Sequence, residues 1–467
     1  MGFSAKNTFH LNRPMSQNIV CGLILFCLPG IYTALTALGA GGGKPSSSVI
    51  ANQTNAILYG VFIVFACMGG TIVNLFGPRL SLMIGTLGYP LYVGGLWYYD
   101  NTGNSWFPLF AGAVLGALSG VLWTCVYMVA YAYADESQKG LFLAVQWALR
   151  SLGASVGAAI AFAVNYGQAK PTGVSSAVYI VFIVLQISSL LLSGLLIVNP
   201  TDVVRKDGTR LAKFESPTFK AEIKKLQKCF TDKRILLLTP GMIVCEMPLG
   251  TLSTVNGFFL NLRSRALASM CFQIIQVIGP LLLVWIFDSK KIGSRKMRGL
   301  LGVGSMGVMA IGTCIGMYIW LFAVNYDKLG KPPGRDWADS GAPAFFALYI
   351  LYGWVYAGFQ MAVGWCSSSL SNDPTKLAQY AGYTRACTSL GMCISFALAS
   401  QSVSLLTQLS IEFALYVIGF CGMVYGVLFK IKETNYPSED GVIAPQKEGE
   451  KCESHTLEEQ TSAKGRD

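Results

Sequence analysis

Runs of about twenty apolar residues recur along this chain between residues 18 and 430, and its charged residues collect in the gaps between them. Twenty residues of α-helix rise about 30 Å, the thickness of a bilayer's hydrocarbon core. Inside that core a helix pairs every backbone N–H and C=O by itself. The runs are apolar on all sides and lack the two-residue alternation of a barrel strand. Charged residues make up only 13% of the chain, about half the share of a soluble domain. These features predict an all-α polytopic protein of twelve transmembrane helices, with the lipid bilayer as its surroundings.

Charge placement gives an orientation. With the N-terminus inside, the inner segments hold 26 Lys and Arg and the outer loops seven. The positive-inside rule then predicts both termini in the cytoplasm. The net charge of +11 is accounted for by this asymmetry, and nucleic acid is not an expected partner. The expected organisation is an N-tail (1–17), a six-helix half (18–198), a basic cytoplasmic linker (199–234), a second six-helix half (235–430) and a disordered tail (431–467) poor in apolar residues. Residues 1–17 lack the apolar core of a cleavable signal peptide, so the first run is expected to target the chain. Residues 217–229 fit either a solvated connector or an amphipathic helix on the membrane surface. Most of the cysteines fall inside apolar runs and are expected to be free thiols. The only histidines, His10 and His455, stand in the tails, which leaves none for a metal site or proton relay in the membrane. Asn52-Gln53-Thr54 is a glycosylation sequon in an expected outer loop beside the second run.

The halves share a local grammar. Asn372-Asp373-Pro374 stands 238 positions after Ala134-Asp135-Glu136, and Thr388-Ser389-Leu390-Gly391 stands 238 after Arg150-Ser151-Leu152-Gly153. Each copy sets a polar turn before an apolar helix that holds one cation, Arg150 or Arg385. Two six-helix halves with a long inner linker describe the major facilitator architecture. Such folds put the substrate site near midplane between the halves and work by rocking one half against the other.

Between the second and third runs stand Gly70, Asn74, Gly77, Pro78 and Arg79. In the major facilitator pattern at this loop, glycine lets two helices approach and an acid–base pair latches the inner side shut. Asn74 replaces the acid in this half. The acid is present at the matching loop of the second half, where Asp288 precedes Gly293 and Arg295. With Asp135 and Asp373 of the repeated turn, Asn74, Gly77, Arg79, Asp288 and Arg295 form an expected cytoplasmic gate. The plainer reading is two tight turns with orienting basic residues.

Four stretches together resemble one known family. They are Asn74-Leu75-Phe76-Gly77-Pro78-Arg79-Leu80-Ser81-Leu82, the turn around Asp135, Glu136, Lys139 and Gly140, the segment Val255-Asn256-Gly257-Phe258-Phe259-Leu260-Asn261 leading to Arg263-Ser264-Arg265, and Asn372-Asp373 before Gly382. In this order they are similar to the uncoordinated-93-like branch of the major facilitator superfamily, of fungal or plant type. The resemblance spans about residues 18–430 and implies a twelve-span fold. It implies either a transporter or a regulator of a membrane protein such as an ion channel. The chain departs from the branch in its seventh span, where Cys245-Glu246-Met247-Pro248 replaces an aromatic and amide-rich stretch.

Glu246 is expected to be the one acid deep within a span, where a charge needs a partner, a proton or water. Arg385 is its expected partner, because spans seven and eleven share a half. The pair reads either as a coupling site that binds and releases a proton or as a fixed structural ion pair. Arg150 is the third charged candidate. Tyr127, Gln146, Trp147 and Asn256 fall in spans expected to border the central cavity, although such residues also serve as packing. Gly112, Gly116 and Gly120, spaced by four, are expected to pack helices closely. No phosphate-binding loop, metal-ligand cluster or nucleophile beside a histidine is present in the sequence. The chain therefore reads as a non-enzyme without cofactor or metal. It is expected to be a transporter of a small solute or ion by alternating access, with proton coupling through Glu246. The rival is a non-transporting regulator or trafficking partner of another membrane protein.

Overall fold

Proline, glycine and capping side chains decide where the helices of this chain start, bend and stop. The structure is a computed structural model that describes residues 10–30, 32, 45–165, 176–213, 218–329, 332–401 and 403–446. Helix α1 (Pro14–Leu25) starts on a proline, whose missing N–H costs nothing in the first turn. It widens into a π-turn, Phe26–Gly30, around Pro29. Helix α2 (Pro45–Thr86) kinks at Gly77, where φ is 76°, just before Pro78. The first half continues with α3 (Gly88–Thr102), α4 (Trp106–Ala132), α5 (Lys139–Asn165) and α6 (Ser176–Leu196). The linker holds α7 (Phe219–Thr231) and α8 (Lys233–Leu236). The second half comprises α9 (Thr239–Val244), α10 (Pro248–Phe259), α11 (Leu262–Phe287), α12 (Arg295–Ala323), α13 (Ala342–Ser369), α14 (Pro374–Ser400) and α15 (Leu405–Phe429).

Among the described residues eight helical segments are long and apolar enough to cross a membrane, one of which, Gln53–Thr102, holds two of the expected runs. The first, seventh and eleventh expected runs are also helical, but they are short (α1), broken (α9 and α10) or rich in polar residues (α14). Large apolar side chains such as Leu195, Trp285, Val308 and Phe322 stand exposed on the surface, as lipid contact requires and water does not favour. The expected outer loop at Asn52 is instead helical backbone, because α2 begins at Pro45.

The internal repeat has a structural meaning. The first helix of each half is broken, at Phe26–Gly30 and at Cys245–Met247. Each break lies against the repeated glycine of that half's fifth helix. A Cβ on Gly153 would collide with the backbone of Phe26, and one on Gly391 with that of Ile243. The open turn in the second half is tied down by Ser395 of α14, whose hydroxyl donates to the Met247 carbonyl at 2.7 Å. Gly112, Gly116 and Gly120 of α4 meet α2 at Thr54, Leu58 and Phe62 with no room for a methyl group.

Both described terminal segments and the linker gather at one end of the bundle, here termed the linker end. Gln17 of α1 donates to the Leu196 carbonyl at 2.9 Å, and Arg205 of the linker donates to the Ile443 carbonyl at 2.8 Å. Residues 431–446, expected to be disordered, are folded against this end. The Asn435 side chain donates to the Ser369 carbonyl at 2.9 Å, and Glu439 accepts from Ser371 and the Asn372 amide, each at 2.6 Å. Low apolar content did not prevent ordering, because the segment is held by hydrogen bonds to helix ends. The rest of the tail lies outside the described residues, as do residues 1–9.

Candidate functional site

The break between α9 and α10 places Glu246 at the level where the two halves face each other. There Arg385 of α14 donates to its carboxylate at 3.0 Å. Both side chains are nearly buried, at 7% and 4% exposure. The Arg385 guanidinium also lies over the rings of Trp123 (4.4 Å) and Tyr127 (5.1 Å), so the first half supplies its aromatic seat. A cation of one half is thus held by an acid of the same half and by rings of the other.

Glu246, Arg385 and Arg150 line a cavity of about 340 Å³ between the halves. Its other walls include Asn55, Tyr59, Ser119, Ser269, Tyr349 and Phe396. On every helix these residues lie on the side of Glu246 away from the linker end. Arg150 differs from Arg385. Its guanidinium stacks near Trp147 (4.7 Å) and Trp123 (5.8 Å), and its Nε is buried with no hydrogen-bond partner.

The remaining cavity candidates are set back. Tyr127, Gln146 and Trp147 border a small void of about 20 Å³ that shares Trp123 with the main cavity. Gln146 is held there by donating to the Val126 carbonyl at 3.1 Å. Asn256 lies behind the wall, 3.5 Å from the Ser269 hydroxyl.

At the linker end the halves are joined by side chains aimed at helix termini. The Asp288 carboxylate accepts from the backbone N–H groups of Gly140 (3.0 Å) and Leu141 (2.6 Å). These are free donors at the start of α5, where the helix dipole favours a negative charge. Burial pushes the Asp288 carboxyl up to about 6, against the pull of those amides and of Arg298. Asn74 takes the matching place in the other half. Its amide donates to the Thr375 carbonyl at the start of α14 (3.1 Å) and to Glu222 (2.7 Å). Glu222 is a wholly buried residue of the linker helix α7 that also accepts from Gln379 (3.2 Å) and Lys225 (2.8 Å). An acid is therefore present in both halves, but in the first it comes from the linker.

Glu136 is the centre of the cluster. It accepts from Arg295 (3.0 Å), Asn372 (2.7 Å) and the Asn435 amide (2.8 Å). Burial raises its carboxyl, yet Arg295 and these amides outweigh burial and hold it below the ordinary range. Asp135 pairs with Arg205 at 2.8 Å, and burial raises its carboxyl against that pairing. Other expected gate residues act differently. Asp373 caps its own helix by accepting from the Thr375 N–H at 2.9 Å. Gly77 and Gly293, at φ 76° and 112°, make the two sharp turns. Arg79 is exposed and takes no part in an ion pair among the described residues. Lys139, read as part of a polar turn, is fully buried and donates to the Tyr131 carbonyl at the end of α4 (3.0 Å).

Sequence reasoning missed three acids. Glu136 sat in a noted turn, but nothing in a linear pattern marks a hub. Glu222 was one charge among many in a basic linker. Its signal was the amphipathic spacing of 217–229; helix α7 packs between α2 and α14 and leaves Phe219 exposed. Glu412 is the second acid deep in the bundle, so Glu246 is not alone. In the sequence the last uninterrupted apolar run starts at Ile411, which puts Glu412 at its edge. Helix α15 begins at Leu405, two turns earlier, and buries Glu412 against Thr251, whose hydroxyl donates to it.

Residues 52–301 match the family model described as "Ion channel regulatory protein UNC-93". An uncharacterized membrane protein of Schizosaccharomyces pombe is 39% identical over 84% of this chain and 80% of its own length. UNC93-like protein 1 of Arabidopsis thaliana is 30% identical over 92% of this chain and 94% of its own. In fold the chain is similar to FucP, a major facilitator superfamily transporter solved in the outward conformation. The TM-score is 0.63 at 11% identity, over 88% of this chain and 98% of that one. This chain belongs to the UNC-93 family, built on the major facilitator fold.

Proposed function

We propose that this chain is a secondary transporter that moves a small solute by alternating access, coupled to protons through Glu246. The observation that carries the reading is the charged cavity between the halves, lined by Glu246, Arg150 and Arg385 and closed off toward the linker end by contacts between the halves. A protein that served only as a scaffold for a partner would have no need of the buried Glu246 and Arg385 and the half-buried Arg150 around a central space, since a charge is costly in a membrane. By the positive-inside rule the linker end is cytoplasmic, and the arrangement is outward-facing. In the inward-facing state the contacts of Asp288, Asn74 and Glu136 would part. Glu246 exchanges Arg385 for a proton during the cycle in this reading.

The test compares cells lacking the protein with cells carrying wild type or Glu246→Gln, profiling small molecules and potassium inside and outside. The expected result is a solute that accumulates on one side without the protein and is not corrected by well-expressed Glu246→Gln. The family description supports a second reading, a non-transporting regulator of a membrane-protein partner. No solute difference, or rescue by Glu246→Gln equal to wild type, would favour it.

A further inference from the structure

The charges around the central cavity do not balance. Its lining holds two arginines and one carboxylate, and that carboxylate, Glu246, is already bonded to Arg385. Arg150 has no carboxylate within 4 Å and no protein hydrogen bond among the described residues. Aromatic faces at 4.7 and 5.8 Å hold its guanidinium in place but do not neutralise it. The residue is half-buried, with its Nε buried and without an acceptor, which is costly, and the planar fork of donors matches a carboxylate or phosphate. The space in front of it is large enough for an organic molecule and far larger than one inorganic ion needs. Its walls are rich in aromatic rings, with Tyr59, Tyr349 and Phe396 beside the hydroxyl and amide groups of Ser119, Ser269 and Asn55.

We infer that Arg150 is the seat for the acid group of a small organic anion, whose apolar or aromatic body lies along the tyrosine and phenylalanine walls. This rests on reading the cavity as a transporter's substrate site. Glu246 and Arg385 then set the far side of the site, and Arg150 selects for charge. Trp123 and Trp147, which touch the guanidinium, report its occupancy by fluorescence.

The test uses the purified full-length protein in neutral detergent with constant sodium chloride. The probes are benzoate, 4-hydroxybenzoate, phenylacetate and hexanoate, each paired with its primary amide, and benzylamine. Tryptophan fluorescence is titrated with every compound. At least one carboxylate is expected to bind about tenfold or more tightly than its amide, as a charge-assisted contact to arginine provides. Arg150→Gln should remove the difference between acid and amide, and Arg150→Lys should retain part of it. The acid-to-amide comparison in wild type decides the matter even where a variant fails to fold. Equal binding of acids and amides, preference for benzylamine, or no binding of any acid would overturn the inference. So would displacement by phosphatidylglycerol alone, which would make the site one for lipid. Acid-selective binding without flux in the cell test would refute transport and leave the anion site standing. Flux of a neutral solute without acid preference would refute the anion site alone.

Discussion

The Glu246–Arg385 pair concentrates the cost of building a site inside a membrane. Each charge is tolerable only because the other lies 3.0 Å away. Removing one partner strands the other, so Glu246→Ala and Arg385→Ala should each lose about 3–5 kcal/mol of stability. Thermal unfolding followed by size-exclusion would measure this. The exchanged pair Glu246→Arg with Arg385→Glu should recover stability but not flux, because the aromatic seat on Trp123 and Tyr127 fits a guanidinium and not a carboxylate. Recovery of both would mark the pair as purely structural. Glu412 presents the opposite case. It has no cation partner among the described residues, and one of its oxygens is buried without a hydrogen bond. A neutral carboxyl meets those conditions, so Glu412→Gln should leave stability within about 1 kcal/mol of wild type, whereas Thr251→Val should cost about 1–3 kcal/mol by removing its donor. A large loss in Glu412→Gln would show that the group is ionised.

Helix α7 turns a connector into a junction between the two halves. Asn74 and Gln379 both donate to Glu222, so the linker helix bridges α2 of one half and α14 of the other. Asn74→Asp would set a second carboxylate against a fully buried one. That substitution should undock α7 and raise maleimide labelling of Cys229, now 4% exposed on that helix. The expected increase is about tenfold, equivalent to ~1.4 kcal/mol. Adding Glu222→Gln to Asn74→Asp should return labelling close to the wild-type rate, because one acid and one amide are restored. Labelling unchanged by Asn74→Asp would exclude a role for Glu222 at this junction. The broken helices work on the same scale. Gly153 and Gly391 let the broken first helix of each half lie against that half's fifth helix, and in the second half this contact sits beside the Glu246–Arg385 pair.

In the proposed transport cycle, closure of the linker end depends on several acids at once, and their protonation differs in sign. Asp288, pushed up to about 6 by burial from an ordinary 3.8, holds its proton more tightly in the closed arrangement than in one where water reaches it. The closed arrangement therefore gains as pH falls through 6 and loses as pH rises. Between pH 7 and pH 5 the balance should move about tenfold toward closure. Asp135, also raised by burial, acts in the same direction. Glu136, held low by Arg295 despite its burial, supports closure above its ordinary 4.5 and loses that effect only at lower pH. It does not cancel the change between 7 and 5. Spin-label distances between Arg79→Cys and Lys291→Cys, both exposed positions of opposite halves, would follow the closure. Asp288→Asn should flatten most of the response, and an unaltered pH profile in that variant would assign it to other groups.

Local composition alone determined much of this protein. An apolar run of spanning length has one solution in lipid, a helix that satisfies its own backbone, so helicity and the two-half organisation were legible from residue order. The pairing of Glu246 with Arg385 also followed, because a buried charge demands an opposite one and the repeat put both in one half. Only the tertiary structure decided the rest. Whether Arg150 is paired depends on which side chains surround it, and no periodicity records that. Glu222, Glu136 and residues 431–446 are polar segments whose order comes from partners more than sixty positions away. Their hydrogen bonds exist only once the helix ends are brought together, so their roles are set by the assembled bundle rather than by local sequence.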